Sequence, residues 1–426
     1  MAASSSEISE LILVSFHFPP SNGIGARRWA KLSKYLAKQG IKVHVITTPP
    51  ANPSEKSTWT TDVENELIHI HYVPSGYPDI QPSSHPVGKV FNRLRLFSLE
   101  KRTKGTPYDK AVFWQKGLTK TALDLIKKYK IRHVIATGAP FHALSHTIDL
   151  KKHVPNLKVL VDFRDPWTNA VNYGMQEISS KRKSYEVSLE KKVLELSDVL
   201  VGPTHPELLL GPSFKRASIT GIVEELPHFY DPEDLPQLEK EGQDQDKIKI
   251  VYGGAIYMDL EETLDKLDLA LTAIKENHLD FYRRLEWKIF TPHLSKLEKI
   301  ASHHADIFFP QAPIGKEELF EKMADADMLL ILLAEHNKHF RTTKFFEYLT
   351  IRKPLLMFGP EGRVSHNIQS EKLGVSIEKE SLNGKILLEN LKRLKEDSFV
   401  PNEELIETYS VEKVSSDLIA LLQKVS

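Results

Sequence analysis

The chain has 426 residues, too many for one comfortable hydrophobic core, so two domains are expected. Hydrophobic residues make up 41% and charged residues 27%, the balance of an ordinary globular protein. The 57 basic and 57 acidic side chains cancel, which excludes a global nucleic-acid footprint, and the lack of cysteine excludes disulfides and thiolate catalysis.

The start, MAASSSEISELILVSF, has no basic region ahead of an apolar segment, so a cytoplasmic protein is expected. LILVS at 11–15, a helix near 25–39 and KVHVIT at 42–47 open a strand–helix alternation. After a less regular stretch it resumes with a helix near 118–129, RHVIATG at 132–138, a helix near 141–151, KVLVDF at 158–163, a charged helix near 177–196 and DVLVG at 198–202. Such alternation predicts a parallel sheet covered on both faces. Residues 226–247 combine prolines with a run of charge and read as a linker between a domain at 1–225 and one at 248–402. The second domain restarts with KIKIVYGG at 247–254 and a helix near 260–276. LEWKIF, DIFFP, MLLILLA and PLLMFG follow as strands, with helices near 316–324 and 342–351. MLLILLA falls far short of the roughly 18–20 apolar residues of a membrane span and reads as a buried strand. A last amphipathic helix, 403–424, is expected to pack back on the first domain.

Open α/β sheets bind ligands beyond the carboxyl ends of their strands, which singles out four segments. HFPPSNGIGARR follows the first strand, where Gly23 and Gly25 permit close backbone approach at a helix start. Arg27 and Arg28 oppose the helix dipole there unless an acid is near. ATGAPFHA places His142 at a helix start, where an imidazole tends to stay neutral. In DFRDPW, Asp162 and Asp165 flank Arg164, as a wall for a hydroxylated ligand or as a self-contained network fixing the loop. In FRTTKFFEYLTIRKPLLMFG, Thr342 or Thr343 can cap the helix. Lys344 and Glu347 share one of its faces, either as a solvated ion pair or facing a ligand beside Arg341. No metal-binding spacing is present, and no metal is expected. The segment Val87 to Lys120 carries nine Lys or Arg against Glu100 and Asp109, interleaved with Phe91, Leu94, Leu96 and Phe97. It reads as a solvated helix or as a contact with an anionic membrane.

Together these four segments resemble glycosyltransferase family 4, over nearly the whole chain and most weakly between about 50 and 110. The resemblance implies the GT-B architecture, two Rossmann-like domains facing a cleft. It implies metal-independent, retaining transfer of a sugar from a nucleotide-sugar donor, UDP- or GDP-linked, to a glycan or lipid-linked acceptor in cell-surface polysaccharide assembly, with no separate cofactor. By the same resemblance Gly23 and Gly25 face the donor phosphates and acceptor, His142 contacts the transferred sugar, and Glu347 holds the donor ribose. Two positions depart from the family pattern. His339 stands where a second glutamate is usual, and GGAIYMD, from Gly253 and Gly254 to Asp259, stands where an Arg and a Lys usually hold the diphosphate. Arg341 and Lys344 are therefore expected to supply that charge, with Asp162 and Arg164 beside His142 at the reacting centre. A UDP-sugar epimerase or hydrolase and a non-catalytic sugar-nucleotide-binding subunit are the alternatives. Peripheral contact with the inner face of a membrane and the oligomeric state are left open by the sequence.

Overall fold

The computed structural model describes residues 8–21, 24–50, 57–78, 80, 84–103, 109–170, 175, 178–235, 246–256 and 258–426. Gly23 and residues 236–245 of the expected linker lie outside them. The chain divides into two units, one of Met1–Pro227 with Val414–Ser426 and one of His228–Lys413.

In the first unit the elements run β1 (Glu10–Ser15), α1 (Ile24–Lys38), β2 (Lys42–Thr47), β3 (Ile68–Tyr72), α2 (Pro86–Arg102), α3 (Gln115–Tyr129), β4 (His133–Gly138) and α4 (His142–Ile148). Then come β5 (Lys158–Phe163), α5 (Ser180–Leu196), β6 (Val199–Gly202), two short helices α6 (Pro206–Leu210) and α7 (Pro212–Arg216), and β7 (Ile222–Glu225). Among the described residues the strands form a seven-stranded sheet of order β3-β2-β1-β4-β5-β6-β7. Each neighbouring pair is parallel, as in the register Leu11 to Val43 and Ile12 to Val134. The central strands carry no polar alternation because helices cover both faces, and Leu11, Ile12, Leu13 and Val14 are all inaccessible to solvent.

In the second unit β8 (Ile248–Gly253), α8 (Glu261–Asn277), α9 (Leu279–Tyr282), β9 (Leu285–Phe290), α10 (Glu298–His303), β10 (Phe308–Gln311), α11 (Lys316–Ala324), β11 (Met328–Leu332) and α12 (Thr343–Ile351) come first. They are followed by β12 (Leu355–Phe358), α13 (Arg363–Ser370), β13 (Gly374–Ile377), α14 (Gly384–Glu396) and α15 (Glu403–Thr408). Among the described residues six parallel strands are ordered β10-β9-β8-β11-β12-β13. Successive residues of β11 feed opposite faces. Met328, Leu330 and Leu332 pack with Ile250, Tyr252 and Trp287 in one core layer, while Leu329 and Ile331 pack with Val251, Met357 and Phe345 in the other. Both sheets have the Rossmann arrangement, in which strand order reverses next to the first strand.

The stretch expected as a single helix over 403–424 is two. α15 stops at Thr408, and α16 (Val411–Lys424) starts after Tyr409 and Ser410 turn away to meet Tyr230. There the Tyr230 N–H donates to the Tyr409 carbonyl at 3.1 Å and the Val411 N–H to the Tyr230 carbonyl at 2.9 Å. A backbone bonded to a neighbouring segment at two adjacent points cannot also continue the helical ladder.

α16 buries Val414, Leu418, Leu421 and Leu422. Fully burying an aliphatic side chain contributes about 1.5–3 kcal/mol, so four approach the whole ~5–15 kcal/mol stability of a domain. Deleting residues 414–426 should therefore abolish hydrogen-exchange protection of β1 to β7 and leave β8 to β13 protected. Retained protection in the first sheet would show that α16 is dispensable.

Candidate functional site

The strand order reverses between β1 and β4 in the first sheet and between β8 and β11 in the second. Loops leaving the carboxyl ends at these points diverge to opposite faces and leave room for a ligand.

In the first unit the loop after β5 is tied to the loops after β1 and β4 by one guanidinium. Arg164 donates from Nε to the Gly138 carbonyl at 3.0 Å, and from its two terminal nitrogens to the carbonyls of Gly25 and Ala139. A Cβ on Gly25 would stand 2.6 Å from Arg164 Nη1, so a side chain at the start of α1 would push the guanidinium aside. His17, in the loop after β1, is held neutral. Burial, then the charges of Arg164 and Lys110, push its pKa down to about 4.

Asp162 does not take Arg164 as its partner, as the self-contained DFRD network would have it. Its carboxylate, wholly inaccessible, accepts from Trp29 Nε1 at 2.7 Å, Arg28 Nε at 3.1 Å and Thr137 Oγ1 at 3.2 Å. Arg28 spends its remaining donors on the carbonyls of Leu226, at 2.7 Å, and Pro227, at 2.8 Å. The acid that a cation at the start of α1 requires thus lies 134 residues away in sequence.

His142 lies at the start of α4 as read from the sequence, but its surroundings reverse the expected charge state. Burial alone would lower its pKa, yet the carboxylates of Asp109 and Glu186 outweigh that and raise it. Nε2 sits 3.1 Å from Glu186 Oε1, and Glu186 also accepts from Trp167 Nε1 at 3.0 Å and pairs with Arg182. Asp109 Oδ2 accepts the backbone N–H groups of Phe141, at 2.8 Å, and His142, at 3.0 Å. The helix start that could have offered those donors to an anion is closed by the protein's own carboxylate.

In the second unit β8 delivers Gly253 and Gly254 to the reversal point. The Gly253 N–H donates to the Tyr348 hydroxyl of α12 at 3.0 Å, and that hydroxyl lies 3.3 Å from the Gly253 carbonyl. Gly254 has φ of 140°, a conformation that favours glycine, and a Cβ there would run into Cε and Nζ of Lys344. Lys344 Nζ donates to the Tyr252 hydroxyl at 2.8 Å and lies 4.5 Å from the Tyr252 ring centroid. Burial, opposed by the Glu347 charge, brings its pKa down to about 8. Glu347 is 23% exposed and 3.6 Å from Lys316 Nζ, which also bonds Asp234. Thr342 is the N-cap residue of α12 in an extended conformation, without a side-chain cap hydrogen bond.

Gly253, Gly254, Lys344 and Glu347 are thereby gathered at one end of the sheet. Arg341 is held differently: it donates to the Tyr409 hydroxyl, and its guanidinium lies over the rings of Tyr409, at 5.0 Å, and Phe346, at 5.4 Å. Among the described residues no group of three or more His, Asp or Glu is arranged to hold a metal ion.

The two Rossmann-type sheets are those of the GT-B architecture. Solved structures with this fold extend over 98% of the chain. They include a trehalose-6-phosphate protein from E. coli bound with UDP-2-fluoro glucose (TM-score 0.62, 11% identity, all of that chain covered) and a glycosyltransferase from Rickettsia africae (0.59, 13%, 98% covered). An alpha,alpha-trehalose-phosphate synthase (UDP-forming) from Burkholderia vietnamiensis gives a TM-score of 0.60 at 12% identity, with 98% of each chain covered. No protein-family model and no curated protein sequence matches the chain significantly.

Arg28, Trp29, Asp109, Glu186, Tyr252 and Tyr348 are the residues around these sites that sequence reasoning left unassigned. One signal was present in α5, where Arg182, Glu186 and Glu190 recur every fourth residue on a single buried face.

Removing the Asp162 carboxylate would leave a guanidinium that is only 4% exposed without its counter-charge. Asp162→Ala should cost about 3–5 kcal/mol in urea denaturation and Asp162→Asn less, since the amide keeps an acceptor. A loss under about 1 kcal/mol for the alanine variant would contradict this, because that is the scale of an exposed pair.

Proposed function

We propose that the protein is a glycosyltransferase that binds a nucleoside diphosphate sugar, UDP-linked in the first instance, at the carboxyl end of its second sheet. The observation that carries this reading is Lys344, a largely buried cation over the Gly253–Gly254 turn at the reversal point of a Rossmann sheet. Holding an ammonium where burial brings its pKa down to about 8 costs the fold up to roughly 3 kcal/mol at neutral pH, and a bound diphosphate would offset that cost. The two glycines let phosphate oxygens approach the backbone, and the start of α12 adds N–H donors. Glu347 accepts from the ribose hydroxyls. Arg341, fixed on Tyr409 and Phe346, contributes positive potential rather than a direct contact.

The first unit is read as the acceptor side, with Gly25, His142, Asp162 and Arg164 around the reacting centre. Transfer with retention breaks the bond from the anomeric carbon to the diphosphate oxygen and forms one to the acceptor oxygen on the same face. The acceptor's proton passes to the departing oxygen. That Asp162 is enclosed by Arg28, Trp29 and Thr137 favours this course over a covalent glycosyl–carboxylate intermediate. The acceptor is a glycan or lipid-linked sugar in cell-surface polysaccharide assembly, with the protein cytoplasmic and peripheral to the inner face of the membrane. A second reading, a non-catalytic nucleotide-sugar-binding subunit, is favoured by one observation: His142 is 2% exposed and engaged by Glu186. Product analysis by mass spectrometry with UDP-sugars and a range of acceptors decides between them, and turnover of donor without acceptor would indicate an epimerase or hydrolase.

The sign of the pH dependence follows from Lys344. A bound diphosphate favours the protonated amine and raises its pKa, so affinity for UDP should be flat below about pH 8 and fall by up to tenfold per unit above it. Lys344→Met should abolish that dependence, weaken UDP far more than uridine, and raise thermal stability at pH 7. Isothermal titration of both ligands from pH 6.5 to about 9.5 reads all but the last; a pH-independent UDP affinity in the parent protein would remove Lys344 from the diphosphate site.

Glu347→Gln should weaken UDP and uridine alike by about 1–3 kcal/mol, since both ligands carry the ribose. Equal affinities for parent and variant would take Glu347 off the sugar ring.

A further inference from the structure

α2 turns its broader apolar face away from the protein. Val87, Val90, Phe91, Leu94 and Phe97 fall at i, i+3, i+4, i+7 and i+10, one stripe of a helix. All five are exposed, Val87 by 72%, Leu94 by 62% and Phe91 by 57%. Leu99 is the one buried residue of α2. The helix is fastened near its C-terminal end, where Leu99 is buried and the Arg102 guanidinium lies 4.5 Å from the Phe113 ring centroid.

Charge decides what such a stripe fits. Lys89, Arg93, Arg95, Lys101 and Arg102 face a single carboxylate, Glu100, along this helix, in a chain whose total charge is zero. On a helical wheel Arg93 borders one edge of the stripe and Arg95 and Arg102 the other, Lys101 falls within it near the C-terminal end, and Lys89 lies farther round, beside Glu100. Arg95 lies 4.8 Å from the Phe91 ring centroid and Lys101 4.7 Å from that of Phe97, so aromatic rings and cations share one depth. Two copies meeting through this face would bring their cations together, and nucleic acid would leave the apolar residues in water. An anionic bilayer accepts both, apolar residues among the acyl chains and cations among the headgroups. Among the described residues no helix is long and apolar enough to cross a membrane, so the contact is one of lying on the surface.

We propose that α2 docks the protein on an anionic lipid bilayer, its Val87–Phe97 stripe inserted in the interface. This deepens the peripheral location proposed above and rests on it, but not on the assignment of the donor site. Since the chain has no cysteine, Leu94→Cys and Glu100→Cys each give a single position for an environment-sensitive dye. With vesicles of phosphatidylcholine and phosphatidylglycerol, co-sedimentation of the full chain is expected. The dye should shift to the blue at position 94 and not at 100, and phosphatidylcholine alone should bind at least tenfold less. A triple variant, Arg93→Gln, Arg95→Gln and Lys101→Gln, should bind about 100-fold more weakly, at about fivefold per cation. Phe91→Ser with Leu94→Ser should lose binding while keeping UDP affinity, which separates failure of this surface from failure of the donor site. Absence of vesicle binding, binding unaffected by the serine variant, or concentration-dependent self-association abolished by it without vesicle binding would each overturn the proposal. Binding to single-stranded DNA that needs the cations but not the apolar residues, again without vesicle binding, would also overturn it.

Discussion

A buried guanidinium must find acceptors for all its donors, and in the first unit that requirement gathers the chain around Arg28. Its nitrogens reach Asp162 at the end of β5 and the carbonyls of Leu226 and Pro227, and the same carboxylate takes Trp29 and Thr137. One ion pair therefore fixes α1, β4, β5 and the last residues before the second unit. α1 buries Trp29, Ala30, Leu32 and Leu36, so its angle on the sheet governs a large share of the core. That angle also sets where the Gly25 carbonyl meets Arg164. The two arginines divide the work: Arg28 anchors the helix below the strand ends, and Arg164 ties the loops above them.

In the second unit the polar contacts at the strand ends are fewer and their consequence differs. The Tyr348 hydroxyl accepts from the Gly253 N–H and donates to the Gly253 carbonyl, so both backbone polar groups of that residue are satisfied. The Lys344 ammonium, by contrast, is given a phenol oxygen and an aromatic face, neither of which carries a full negative charge. Its pKa of about 8 records that deficit. In the first unit Arg28, Lys31 and Arg182 pair with internal carboxylates, whereas Lys344 in the second lies against a phenol oxygen and an aromatic ring. The asymmetry favours an anion at the second sheet.

The sequence makes the central strands plain, because a parallel strand covered on both faces is an unbroken apolar run, as in LILVS and MLLIL. It hides β3, β7 and β13, whose IHIHY, IVEE and GVSI lie at or beside sheet edges and alternate or mix polar residues. Fold class follows from the first kind of strand alone. Site chemistry does not, since Asp162 finds Arg28 and Glu186 finds His142 across many intervening residues. Local spacing suggested Arg164 for the former and a neutral ring for the latter, and in each case a distant charged group decided the matter.

One departure from the pattern that the resemblance to family 4 implies lies after β8. The segment after β8 lacks the usual cations, but it is not electrically empty, because the Lys344 amine occupies the space that a Cβ at Gly254 would need. A cation delivered from α12 and one delivered from the β8 loop can reach the same volume, since the reversal of strand order places both at one strand end. Position in the fold, rather than position in the motif, is what charge compensation has to preserve. A lysine arriving through the glycine turn also couples turn and helix: any side chain at Gly254 would both strain φ and displace the amine. Gly254 and Lys344 therefore act together in placing the charge, since the amine keeps its position only while the glycine leaves that space open.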